Sequence, residues 1–125
     1  MKLRIDMTST VPAYRQIVDG LRVLLVSGDL KPGSVLPSVR RMALDLGVHF
    51  NTVAEAYRFL AEERWLDLKH GRSAVVIARS APQANGQTFR EFAHRLRTLA
   101  AQMRAHGFPA SRIRAELQAV AEELP

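Results

Sequence analysis

The chain has no cysteine, which removes disulfide frameworks, thiolate metal sites and a thiol nucleophile together. That fits a reducing compartment. Long apolar runs are missing too: Val23-Leu24-Leu25-Val26 and every other such run fall far short of the roughly 20 residues that span a bilayer, so no membrane partner is expected. Met1-Lys2-Leu3-Arg4-Ile5-Asp6 lacks the apolar core of a secretory signal, and a cytoplasmic location is expected. Histidines are few, and His49, His70, His94 and His106 share no i,i+4 pair and no carboxylate at ligand spacing. No metal site is expected. A Gly-rich phosphate loop, a nucleophile elbow and paired catalytic carboxylates are also missing. The expectation is therefore no catalytic residue, no cofactor and no enzyme.

What is present is an ordinary globular composition: 125 residues, 47% hydrophobic and 24% charged. That length builds one modest core with a small appendage. Eighteen Lys and Arg against twelve Asp and Glu leave a net charge of +6, and fifteen of the eighteen are Arg. Arg is the side chain suited to phosphate and base-edge contacts, so the balance points toward a polyanion. Its distribution is even, however. Residues 1–37, 38–79 and 80–125 each carry +2, and no basic tail stands out. Charge alone leaves nucleic-acid binding open.

Residues 79–87, Arg79 through Gln87, are polar, contain Pro, Asn and Gly, and have no apolar periodicity. We read residues 80–87 as a linker between a domain at 1–79 and a helical region at 88–125. The first domain opens with Leu3-Arg4-Ile5, a short strand or arm. Pro12 suits a helix start, Tyr14, Ile17, Leu21, Leu24 and Leu25 make an apolar stripe, and Gly28 is a stop. A second helix follows Ser38 as N-cap and runs to Gly47; a third covers about 50–63, with Val53, Tyr57, Leu60 and Ala61 inward. Trp65–Lys69 and Ala74–Ile77 then read as a hairpin around Gly71. Three helices and a hairpin are the order of a winged helix-turn-helix. The predicted class is α+β, mostly helical, with a C-terminal two-helix hairpin.

In that C-terminal hairpin Phe89, Phe92, Leu96, Leu99 and Met103 form one stripe, and Ile113, Leu117, Val120 and Leu124 a second, with Gly107 between the helices. Two short helices cannot bury both stripes on each other. They either dock on their own winged domain or pair with a second copy, and the linker favours the homodimer.

Leu36-Pro37-Ser38-Val39-Arg40-Arg41-Met42-Ala43, then Leu46-Gly47-Val48, then Asn51-Thr52-Val53-Ala54-Glu55-Ala56-Tyr57 resemble the GntR family of bacterial transcription regulators. Pro12-Ala13-Tyr14-Arg15-Gln16-Ile17 and Gly28-Asp29-Leu30-Lys31-Pro32-Gly33 are similar to two further blocks of that family. The short two-helix tail resembles the YtrA subfamily, in which it serves dimerisation. The resemblance implies a homodimeric, sequence-specific regulator, a repressor by preference, bound to an inverted-repeat operator in double-stranded DNA. The alternative is a winged module that binds protein and has no specific DNA target. A small-molecule effector is possible in principle, with nothing in the sequence to identify it. Four positions depart from the family pattern: His49 in place of the usual Ser or Asn cap, Phe50 in place of Pro or Arg, Arg64 in place of Gly, and Ser73 in place of the second wing Gly.

A recognition helix meets base edges with its N-terminal residues while the preceding helix crosses the backbone. This nominates Ser38, Arg40, Arg41, His49, Phe50, Asn51 and Thr52, and at the wing His70, Gly71 and Arg72. Asn51 can pair with adenine, or be a solvated or capping Asn. Phe50 can touch a thymine methyl or serve as a hydrophobic staple. Arg41 and Arg58 can meet phosphate or form surface ion pairs. Gly71 allows close approach to the minor groove, though a plain hairpin turn also favours it.

Overall fold

Ile17, Val18, Leu21 and Leu25 recur at the spacing that places them on one side of a helix, and all four are buried on α1 (Ala13–Ser27). Pro12 occupies its N-cap, and the Pro12 carbonyl accepts from the Gln16 amide at 3.1 Å. Gly28 ends the helix in left-handed backbone, φ +88°, which a Cβ would resist. The computed structural model describes residues 3–68, 73–79 and 81–125. Within it Leu3-Arg4-Ile5 is an arm and pairs with no strand. Leu3 lies over Gly20, where a Cβ would collide with its Cδ1. The Gln16 amide fastens the same arm: Asp6 N donates to Oε1 at 2.8 Å, while Nε2 donates to the Asp6 and Val11 carbonyls, each at 2.9 Å.

Helix α2 (Val39–Leu46) begins where Ser38 Oγ accepts from Arg41 N at 3.1 Å and ends at Gly47, φ +69°. Helix α3 (Phe50–Glu62) buries Val53, Ala56, Tyr57 and Leu60. Burial pushes the Tyr57 phenol up; its hydroxyl donates to the Pro37 carbonyl at 2.7 Å. That bond ties the middle of α3 to the residue before the α2 cap. At the far end of α3, Arg64 takes φ +67°, the one positive-φ residue other than glycine among the described residues.

The sheet has three strands, one more than the sequence reading holds. Strand β1 (Val35–Leu36) pairs antiparallel with β3 (Ala74–Val76), and β3 pairs on its other side with β2 (Leu66–Asp67), giving the order β1-β3-β2. Val35 faces Val75 and Leu36 faces Ala74; Leu66 faces Val76 and Asp67 faces Val75. The strands are shorter than the runs expected at 65–69 and 74–77. Leu36, Leu66, Ala74 and Val76 turn inward and join α1, α2 and α3 in one core.

The chain divides into two compact units, Met1–Arg79 and Ser80–Pro125. The second holds α4 (Gly86–Ala105) and α5 (Ala110–Glu123). Its first helix starts earlier than the 80–87 linker allows. Asn85 Oδ1 accepts from Thr88 N at 2.9 Å and caps the helix, so Gly86 and Gln87 are helical. Gly107, φ +93°, turns the chain between the two helices.

Candidate nucleic-acid interface

The sequence nominates the start of α3 as a reading head, and its local chemistry explains how that head is held. His49 Nδ1 accepts from Asn51 N at 3.1 Å, doing with a ring nitrogen what Ser or Asn does with oxygen. The His49 ring also stacks on Phe50, centroids 4.7 Å apart and planes inclined by 27°. Because His49 supplies the cap, the side chain of Asn51 is left over. Asn51 is exposed and Thr52 half-buried, and neither side chain has a hydrogen-bond partner among the described residues.

Phe50 does not act as the staple that the sequence left open. With His49 at N-cap, the staple positions N′ and N4 belong to Val48 and Val53. Val48 packs against the core and Val53 is fully buried, whereas Phe50 stands at N1 with about half its surface (51%) exposed.

On α2, Ser38 presents a capped helix start, and Arg40 is exposed with no ion pair among the described residues. Arg41 is engaged: its Nε lies 3.2 Å from Asp45 Oδ1. Both side chains of that pair are well exposed, so it contributes only a few tenths of a kcal/mol and leaves Arg41 able to exchange partners. Arg58 is exposed on the outer side of α3. His70, Gly71 and Arg72 lie outside the described residues.

The sequence reading missed Leu44, 75% exposed on α2. It stands four residues beyond Arg40 and so shares its helix face; that spacing was the available signal. Arg40, Ala43, Leu44, Gly47, Val48 and Phe50 line one open hollow. A second cavity, about 190 Å³ between Ser38, Tyr57, Leu68 and Ser73, is below the ~300 Å³ at which small-molecule sites begin. Among the described residues no group of His, Cys, Asp and Glu could hold a metal ion, and no helix is long and apolar enough to cross a membrane.

In the second unit Ile113 is buried and Met103 half-buried. Phe89, Phe92, Leu96, Leu99, Leu117, Val120 and Leu124 all remain exposed.

Residues 13–76 match the bacterial regulatory proteins of the gntR family. The chain belongs to the GntR family. YtrA from Sulfolobus acidocaldarius, a GntR-family transcription factor, is 32% identical over 97% of both chains, with a TM-score of 0.57. The transcriptional repressor YtrA of Bacillus subtilis is 36% identical over 74 residues, 59% of this chain and 57% of that protein. A transcriptional antiterminator from Listeria monocytogenes covers 97% of this chain and 90% of its own, with a TM-score of 0.74 at 22% identity; this is a likeness of fold. The match spans less than two thirds of the Bacillus repressor's length. The match gives the first unit the winged-helix fold of that family of regulatory proteins.

Proposed function

We propose that this GntR-family chain is a homodimeric, sequence-specific repressor that binds an inverted repeat in double-stranded DNA in the cytoplasm. In this reading α3 enters the major groove, α2 crosses the backbone, and His70, Gly71 and Arg72, which lie between β2 and β3 in the chain, meet the minor groove. The observation that carries it is the set of uncommitted polar side chains at one end of the helix pair. Among the described residues Arg40, Asn51 and Thr52 have no side-chain partners, while the helix starts beneath them are fixed by Ser38 and His49. A forked guanidinium and an amide are the groups that read guanine and adenine edges, and the capped start of α2 suits a phosphate. The repressor name of the Bacillus relative supports repression as the sign of regulation.

Homodimerisation rests on the second unit. Six large apolar side chains stay exposed on α4 and α5, and Leu124 just beyond α5 makes a seventh, more than a two-helix hairpin can leave to water and remain stable. A second copy with the same face would cover them about a two-fold axis.

The test is duplex binding across a salt series, with sites first selected from a random DNA pool. The expected result is a selected inverted repeat whose affinity falls steeply with salt, by about 0.9 in log–log slope per phosphate contact. Arg40→Ala should weaken binding far more than Arg72→Ala. Arg40→Lys should remain impaired, because the fork is lost though the charge is kept. Binding that ignores salt, or a pool with no enriched sequence, would leave the protein-binding winged module as the correct reading.

A further inference from the structure

Leu44 and Phe50 are large apolar side chains in open solvent on the two elements that form the reading head. Neither is there by default. Phe50 is excluded from the staple by Val48 and Val53, and Leu44 lies on the side of α2 away from the buried Met42 and Ala43. Both line the one hollow that also contains Arg40. The Phe50 ring is not free to wander, since it stacks on the His49 ring that caps the same helix. A pre-ordered aromatic ring gives up little freedom when it meets a partner.

We infer that Leu44 and Phe50 form an apolar shelf that reads thymine by its 5-methyl group, next to the base contacted by Arg40. The inference rests on the DNA-binding reading above and adds to it a base preference and a residue, Leu44, that the motif does not assign. The occupant follows from chemistry and position. Of the four bases, thymine alone offers an apolar group on its major-groove edge. The shelf is continuous with Arg40 on α2 and with Asn51 at the next position of α3, so whatever docks against those polar groups also covers the shelf. A guanidinium beside an apolar shelf makes a composite reader, with guanine under Arg40 and thymine flanking it.

The experiment begins with the full-length chain and its selected operator. Each thymine is replaced singly by deoxyuridine, which removes only the methyl group, and affinities are measured at fixed salt for the wild type, Phe50→Ala and Leu44→Ala. Losing one buried methyl corresponds to about a four-fold weakening. The expected result is at least one uridine position per half-site that weakens the wild type by about that factor. Phe50→Ala or Leu44→Ala should bind the thymine operator more weakly and be indifferent to uridine there. Phe50→Met, which keeps an apolar contact, should restore part of the uridine effect, and unchanged circular dichroism in each variant shows that folding is intact. The proposal is overturned if the wild type binds every uridine duplex as tightly as the thymine one, or if both alanine variants keep the full uridine penalty. A change in sedimentation of Phe50→Ala would put a second copy in the hollow and overturn it as well. Failure to select any salt-sensitive duplex counts against DNA binding itself, a different outcome from these.

Discussion

At the scale of single residues, two departures from the family pattern carry measurable consequences. Arg64 stands in left-handed backbone, φ +67°, where a side chain costs about 1 kcal/mol relative to glycine. Its amide donates to the Ala61 carbonyl at 3.0 Å, and Trp65 N to Leu60 O at 2.9 Å, so the turn is held by neighbours that over-determine it. Arg64→Gly is expected to stabilise the fold by about 0.5–1 kcal/mol, less than the full strain because glycine also gains freedom when unfolded. Denaturant titration measures it, and an unchanged or lowered midpoint would show that the strain is no larger than the freedom glycine gains when unfolded. His49→Ala removes the acceptor from Asn51 N and should cost about 1 kcal/mol, as N-cap losses do. His49→Ser or His49→Asn should recover most of that in the same titration. Recovery by neither would mean that stacking on Phe50, and not the cap, is what His49 contributes to stability.

At the scale of elements, the helix boundaries were legible because their punctuation is local. Gly28, Gly47 and Gly107 each adopt positive φ, and Ser38 caps as a hydroxyl before an apolar run should. Strand β1 was not legible. It is two residues between a Pro-Gly turn and Pro37, too short to show alternation, and its partner β3 lies far along the chain; only tertiary pairing defines it. The start of α4 was hidden for a different reason, since Asn85 sits in a polar stretch that reads as linker until its side chain is seen accepting from Thr88 N. In the candidate site, the positions of Asn51 and Thr52, and of Phe50 directly after the His49 cap, followed from the motif, while the extent to which Leu44 and Phe50 stand exposed is set by tertiary packing. The arm gives this scale its prediction. Gln16 makes three hydrogen bonds to arm and turn backbone, all near solvent, so water replaces part of what Gln16→Ala removes. A loss of about 1 kcal/mol is expected, together with faster hydrogen exchange at the Asp6 amide. An Asp6 amide that exchanges at the wild-type rate would show that Leu3 over Gly20 holds the arm by itself.

At the scale of the whole molecule, the two units differ in how they satisfy the hydrophobic effect. The first buries fourteen core residues drawn from all its helices and strands. The second buries Ile113 and leaves its other large apolar side chains mostly in water. A substitution can therefore separate assembly from folding. Leu96 is 55% exposed within one chain, so Leu96→Asp buries no charge in a single copy and should leave the helical content unchanged. In a dimer the same carboxylate would be forced into an apolar interface, at a cost of several kcal/mol. The expected outcome is a shift from dimer to monomer in sedimentation at micromolar concentration, with circular dichroism preserved. Wild-type protein that sediments as a monomer would remove the dimer.

The cap on α3 has one more consequence. A neutral imidazole carries a single proton. With Nδ1 accepting from Asn51 N–H, that proton resides on Nε2, and the ring is confined to one tautomer. Its outer nitrogen is then a donor and not an acceptor, whatever approaches it. A phosphate oxygen or a purine N7 satisfies such a group; the amino group of adenine or cytosine does not. Nitrogen-15 chemical shifts distinguish the two tautomers directly. They should report a protonated Nε2 in the free protein, before any partner is present to select it.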